Sequence, residues 1–188
     1  MKILVIYAHP TGVGHHAYFL EKFTEKLKQK ECSYEVLDLY QMNFNPILTK
    51  TDIDGTPDNQ VLEFKEKVSE SDRLVFIFPT WWQGMPAIMK GFFDRVFSAG
   101  FAFKYQNGLP IALLKSKRAI VFSATGGPKI INDFILRRKG MRVVVGDILK
   151  FCGVCAKGFS IGSARKLTEK NKIKIDSLVV KAYEYLVK

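Results

Sequence analysis

The chain has 188 residues, 47% hydrophobic and 25% charged, which fits one globular domain with a substantial core and excludes a disordered chain. A formal net charge of +11 raises nucleic-acid binding. The lysines are however spread through 22–30, 65–67, 115–118, 166–174 and 181–188, mostly on predicted exposed helix faces, so a solvated basic surface is the expected reading. The apolar run 3–8 is too short for a signal peptide, and no segment approaches the roughly 20 apolar residues of a transmembrane helix. A cytoplasmic protein without membrane insertion is expected.

Residues 2–8 form a near-continuous apolar run, the pattern of a strand buried on both faces of a parallel sheet. The period then changes: Leu20, Phe23 and Leu27 recur at helical spacing and predict a helix over 15–29. A second strand is expected over 34–39, followed by a long excursion over 42–57 with Asn45-Pro46 and Asp54-Gly55 as turn signals. A helix over 59–70, with Val61, Phe64 and Val68 on one face, precedes a third strand over 73–78. The spacing predicts a helix over 86–97 and a fourth strand over 118–124. The region 128–150 is ambiguous apart from an expected helix over 143–151. A fifth strand falls over 158–161, and Ile175, Leu178, Ala182 and Tyr185 mark one face of a closing helix. Alternating strands and helices imply one parallel α/β domain over residues 1–188, whose ligands bind beyond the carboxyl ends of the strands.

Three loops fall at such ends. After the first strand comes His9-Pro10-Thr11-Gly12-Val13-Gly14-His15-His16, which is not the dinucleotide fingerprint GxGxxG. It is still a plausible anion seat: Gly12 and Gly14 relax the backbone, the next helix presents unpaired N–H groups, and His9 or His16 can donate a hydrogen bond. His15 reads equally as a solvated residue at the helix start. After the third strand come Pro79, Thr80, Trp81, Trp82 and Gln83, where paired indoles suggest a planar ligand or, equally, core filler. After the fourth comes Thr125-Gly126-Gly127, which permits close backbone approach and also matches an ordinary glycine turn. Cys152 and Cys155 form the only close cysteine pair of three. A closed zinc site there would lack nearby histidines, and a thioredoxin-like pair would sit near the amino terminus.

Residues 9–10, 38–48, 76–97 and 125–127, in this order, resemble the NAD(P)H:quinone oxidoreductase family over residues 2 to about 160. The resemblance implies a flavodoxin-like, doubly wound, five-stranded parallel sheet in the order 2-1-3-4-5 with helices on both faces. It also implies a flavin, FAD from the 39–54 segment with FMN as the alternative, and NAD(P)H as co-substrate. His9 then contacts the flavin phosphate, while Gly14 and His16 stand where the family carries Ser and Asn. Pro79, Thr80, Trp81, Trp82 and Gln83 follow one edge of the isoalloxazine ring, with Trp82 near its face and Trp81 as a packing residue. Thr125, Gly126 and Gly127 approach from the other side.

No side chain is assigned a certain catalytic role: Trp82, Gln83 and Gly127 support the flavin N5 position. In place of the family's Tyr and His beyond the Gly-Gly turn, the chain offers Asn132 and no histidine after His16. Charge on the reduced ring would then fall to backbone N–H groups, Lys129 or the basic cluster Arg137, Arg138, Lys139 and Arg142. Phe103 and Tyr105 are implied substrate contacts in a pocket shared between subunits, with Asn132 as a third substrate-binding candidate, while Asp94 and Arg95 read as structural ion-pair partners. A homodimer around residues 86–105 is expected, since Phe92, Phe93, Phe97 and Phe101 look too many for a monomer to bury. The implied activity is ping-pong, two-electron reduction of a quinone or similar acceptor. The rival readings are a flavin-binding regulatory subunit of a potassium-efflux transporter and a single-electron carrier. The latter fits poorly with a basic chain lacking a hydroxyl-rich phosphate loop.

Overall fold

The computed structural model describes residues 1–130 and 139–188. Five strands, β1 (Lys2–Tyr7), β2 (Ser33–Asp38), β3 (Arg73–Pro79), β6 (Arg118–Ala124) and β7 (Cys155–Ile161), pair in parallel in the order β2-β1-β3-β6-β7. This is the expected 2-1-3-4-5 order once the two strands of a separate hairpin are set aside. The fifth parallel strand is longer than expected, beginning at Cys155 rather than 158.

Successive residues of a strand point to opposite faces, so the sheet sorts its apolar side chains into two cores. Ile3, Val5 and Tyr7 of β1, with Val75, Ile77, Ile120 and Phe122, pack under α1 (His15–Gln29) and α6 (Glu169–Val187). Leu4, Ile6 and Ala8, with Leu74, Phe76, Phe78 and Val121, pack under α3 (Asn59–Glu70) and α4 (Ala87–Val96). The buried line of α6 is Ile175, Val179, Ala182 and Leu186, with the expected Leu178 and Tyr185 on its flank. Among the described residues no helix is long and apolar enough to cross a membrane.

Two segments differ from expectation. The implied substrate contacts Phe103 and Tyr105 stand on an antiparallel hairpin of β4 (Phe103–Gln106) and β5 (Leu109–Ala112), for which no strands were expected. Its turn is Asn107-Gly108, both at positive φ (53° and 77°), the sequence such a turn favours. The expected helix over 143–151 begins earlier: α5 (Lys139–Arg142) runs on into a π-helical stretch over Val143–Leu149. Asn132, Arg137 and Arg138 lie outside the described residues.

The excursion after β2 contains one short helix, α2 (Lys50–Ile53), closed by a Thr49–Asp52 capping box. It is clamped onto α4. A Cβ at Gly91 would lie 2.2 Å from the Pro46 carbonyl oxygen, so only glycine lets the loop lie this close. One turn further on, Arg95, 1% exposed, donates to both Asp52 oxygens at 2.9 and 3.1 Å, to Asp58 at 2.7 Å and to the Asn45 carbonyl at 2.8 Å. Arg95 is thus an ion-pair residue, as read from sequence, while Asp94 pairs with Lys90. Burial alone would raise the Asp52 carboxyl, but the hydrogen bonds from Arg95 and Thr49 outweigh it and hold it at about 2.

Phe92, Phe93 and Phe97 are buried within the chain, and Phe101 packs partly buried beside them. The expectation that a monomer could not bury these rings is therefore corrected: the long clamped loop supplies the cover, with Phe44 against Phe92. Removing Arg95 leaves Asp52 as an uncompensated buried charge, so Arg95→Ala should cost about 3 kcal/mol or more in urea denaturation. A loss under about 1 kcal/mol would show that the clamp does not depend on this pair.

Candidate functional site

The carboxyl end of β1 leads into α1 through Gly12 and Gly14, at φ 61° and 88°. Gly14 is the N-cap of α1. No side chain caps the helix and no acidic residue lies in its first turn, so its leading N–H groups face outward with the positive end of the dipole. His9 Nδ1 accepts the Thr11 backbone N–H at 3.4 Å and lies 3.1 Å from Thr11 Oγ1. An acceptor at Nδ1 puts the ring proton on Nε2, leaving that N–H available to a ligand. Burial lowers the His9 pKa.

The two following histidines point inward. His16 is buried, stacks on His9 with ring centroids 5.2 Å apart, and accepts the Ala124 backbone N–H on Nε2 at 3.1 Å. Burial pushes its pKa down to about 3, with a smaller opposing effect from a hydrogen bond to the Phe78 backbone. With its ring so engaged, His16 joins α1 to β3 and β6 instead of offering a proton to an anion, contrary to one sequence reading. His15, read as solvated, is also buried, with Nε2 3.0 Å from Asn171 Nδ2 on α6.

At the end of β3, Thr80 N–H donates to the Ala124 carbonyl at 3.1 Å, and its hydroxyl lies 2.6 Å from that of Ser123. Trp81 and Gly84 then exchange both backbone hydrogen bonds, at 3.0 and 2.8 Å, around a two-residue turn of Trp82 (φ 50°) and Gln83 (φ 62°). Turns with two positive φ values favour Asn-Gly, and bulky residues there store backbone strain of order 1–3 kcal/mol each. The turn leaves Trp82 wholly exposed at 102% and buries Gln83 Oε1 with no hydrogen-bond partner among the described residues. Trp81 is not core filler: it is 44% exposed and tilted against His9 at 6.4 Å.

At the end of β6, Thr125 N–H donates to the Ile161 carbonyl and the Thr125 hydroxyl to the Gly127 carbonyl at 3.1 Å. Here two kinds of glycine separate. Gly140 and Gly162 are required by packing, since added Cβ atoms would come within 2.8 Å of Gln83 O and 2.2 Å of Lys129 N. A Cβ at Gly127 would meet nothing within 4 Å, and one at Gly126 only Arg165 Cγ at 3.9 Å. Neither has a positive φ, so nothing among the described residues demands glycine there, and the open space suits a ligand lying against the backbone.

These strand ends border one cavity of about 460 Å³, lined by His9, Thr11, Gly14, His16, Pro79, Thr80, Trp81, Gly126 and Arg165 among others. Arg165, on the loop after β7, was missed in sequence; its one signal was a cation just past the fifth strand. Trp82, Gln83, Thr125 and Gly127 adjoin the lining residues in the chain. Phe103 lines a separate, larger cleft of about 800 Å³ with Phe93, Phe97, Phe101 and Phe151, and Tyr105, exposed, packs edge-on against it. Neither belongs to the strand-end cavity of its own chain. Cys152 is buried, its thiol pushed up to about 11 by burial, and Cys155 is exposed with Sγ 3.3 Å from the Tyr185 hydroxyl.

Residues 1–172 match the protein family described as having a flavodoxin-like fold. An NAD(P)H oxidoreductase of Haemophilus influenzae is 31% identical over 82% of this chain and 79% of its own. A mouse ribosyldihydronicotinamide dehydrogenase (quinone) is 31% identical over 94% of this chain and 88% of its own. The solved NAD(P)H:quinone oxidoreductase of Methanothermobacter marburgensis is 29% identical, covers 100% of this chain and 98% of its own, and superposes with a TM-score of 0.87.

The buried histidines make stability depend on pH. A base whose folded pKa lies near 3, against an ordinary 6.5, stays neutral in the native state and protonates on unfolding. Its contribution is complete above about 6.5 and is lost as pH falls towards 3. Wild-type unfolding free energy should drop between pH 6.5 and 4, by up to about 1.4 kcal/mol per pH unit from His16 alone. His16→Gln should flatten most of that slope in denaturation series. An unchanged slope would show that His16 is not held neutral.

Proposed function

The chain belongs to the NAD(P)H:quinone oxidoreductase family on a flavodoxin-like fold, and on that premise we propose that it is a flavin-dependent enzyme carrying two electrons from NAD(P)H to a quinone or similar electrophilic acceptor. The observation that carries this reading is the convergence of four strand-end loops on one cavity that combines an uncapped helix head with space left open beside Gly126 and Gly127.

A bound flavin supplies the two-electron exchange, chemistry no side chain here can perform. The chain's own part is binding and orientation. Leading N–H groups of α1 and His9 Nε2–H hold a phosphate. The Gly126-Gly127 backbone leaves room for a flat ring, Trp81 walls the cavity, and the strained turn presents Trp82 as an apolar face at its rim. Orientation of donor and acceptor against a common plane is the larger lever, worth roughly 7–11 kcal/mol in favourable cases.

FAD is the proposed form, from the likeness of residues 39–54 to FAD-using members; release by heat and chromatography distinguishes it from FMN. A homodimer is also proposed, because Phe103 and Tyr105 would have to reach the cavity from a second copy. Alternating use of one cavity by NAD(P)H and acceptor gives ping-pong kinetics.

Wild-type protein is expected to bind one flavin per chain and to reduce a benzoquinone with NADH or NADPH. Gly127→Val should keep thermal stability close to wild type, because a Cβ there meets open space, while flavin affinity and activity fall about tenfold or more. A wild-type protein that oxidises neither dinucleotide with a quinone would refute the reading. So would a Gly127→Val variant with full flavin content and rate.

A further inference from the structure

We propose that Arg165 is this chain's phosphate clamp, its guanidinium facing the uncapped head of α1 across the strand-end cavity. This rests on the flavin reading above and assigns a residue that the sequence motifs did not reach. Among the described residues that line the cavity, Arg165 alone carries a formal charge at neutral pH. The three histidines there are held neutral by burial, His16 most strongly. The head of α1 has neither a capping side chain nor an acidic residue in its first turn, and no acidic residue is among the described residues that line the cavity.

The loop carrying Arg165 is held on both sides. Ser163 N–H donates to the Gly127 carbonyl at 2.7 Å and Ala164 N–H to the Thr125 carbonyl at 2.9 Å, fastening it to the end of β6. Beyond it, Asn171 Nδ2 donates to the Lys166 carbonyl at 3.2 Å and meets His15 Nε2 at 3.0 Å, fastening it to the first turn of α1. The backbone of Arg165 is therefore fixed relative to both the glycine turn and the helix head. Its exposed side chain passes Gly126, whose added Cβ would lie 3.9 Å from Arg165 Cγ, and no hydrogen bond or ion pair to another described residue occupies its guanidinium. A planar fork of donors opposite a row of backbone N–H groups is a pair of jaws for a phosphate. His15 and Asn171 act as positioning residues for it.

The test separates phosphate from ring. Apo-protein is titrated with FMN, FAD and riboflavin, which lacks the phosphate, and binding is read by flavin fluorescence anisotropy at several salt concentrations. Arg165→Gln should weaken FMN and FAD about tenfold or more and leave riboflavin within about twofold. It should also flatten the salt dependence of FMN binding, and Arg165→Lys should recover part of the loss. The assignment is overturned if Arg165→Gln binds FMN as the wild type does, or if riboflavin weakens as much as FMN, which would mean a structural role. Wild-type protein that binds none of the three would instead remove the flavin reading on which the assignment stands.

Discussion

The parallel pairing of β1, β3 and β6 is the constraint from which the rest follows. These strands are apolar on both faces, so their sides are spent on two cores and only their ends remain for polar work. Parallel pairing sends all the carboxyl ends to one edge. Because the chain winds from β1 out to β2 and then returns past it to β3, the connections diverge at the β1/β3 boundary and leave a crevice. His9 and Trp81 meet across that boundary, 6.4 Å apart. A ligand at this edge meets backbone groups first and side chains second, which suits a rigid cofactor that needs positioning more than acid or base.

Two buried polar residues hold this edge in shape, by opposite means. Arg95 keeps its charge and gathers Asp52, Asp58 and the Asn45 carbonyl, turning a long excursion into a lid over the phenylalanines of α4. His16 gives up its charge and serves as a neutral acceptor for the Ala124 N–H, fixing α1 against the strand that carries the glycine turn. The first device depends on complete pairing, since a lone buried charge is costly. The second depends on the imidazole remaining unprotonated, a state that burial favours and acid opposes.

Much of the fold was legible in the sequence because its signals are local. Residues 2–8, 73–78 and 118–124 are apolar runs of strand length, and the helices at 15–29 and 59–70 show their buried faces at helical spacing. The loops at His9, Trp81 and Gly126 could be placed at strand ends by topology alone. What escaped depends on contacts distant in sequence. Asn107-Gly108 is a strong hairpin signal, but its aromatic flanks were read as a pocket wall. The inward turn of His15 and His16 requires Asn171 and Ala124, over a hundred residues away. Positive φ at Trp82 and Gln83 contradicts the local preference of both residues, the kind of conflict expected where a site is strained for use. Arg165 becomes meaningful only once β7 closes the sheet and carries its loop back to the head of α1.

The chain's two tryptophans, Trp81 and Trp82, both stand in this loop, so intrinsic tryptophan fluorescence reports on the candidate site and nothing else. Adding FAD or FMN to apo-protein should quench that emission along a curve that saturates at one flavin per chain. In Gly127→Val the same curve should shift to flavin concentrations about tenfold higher or more. Emission that stays unchanged for wild-type protein up to high micromolar flavin, after correction for absorption, would contradict the account at its centre.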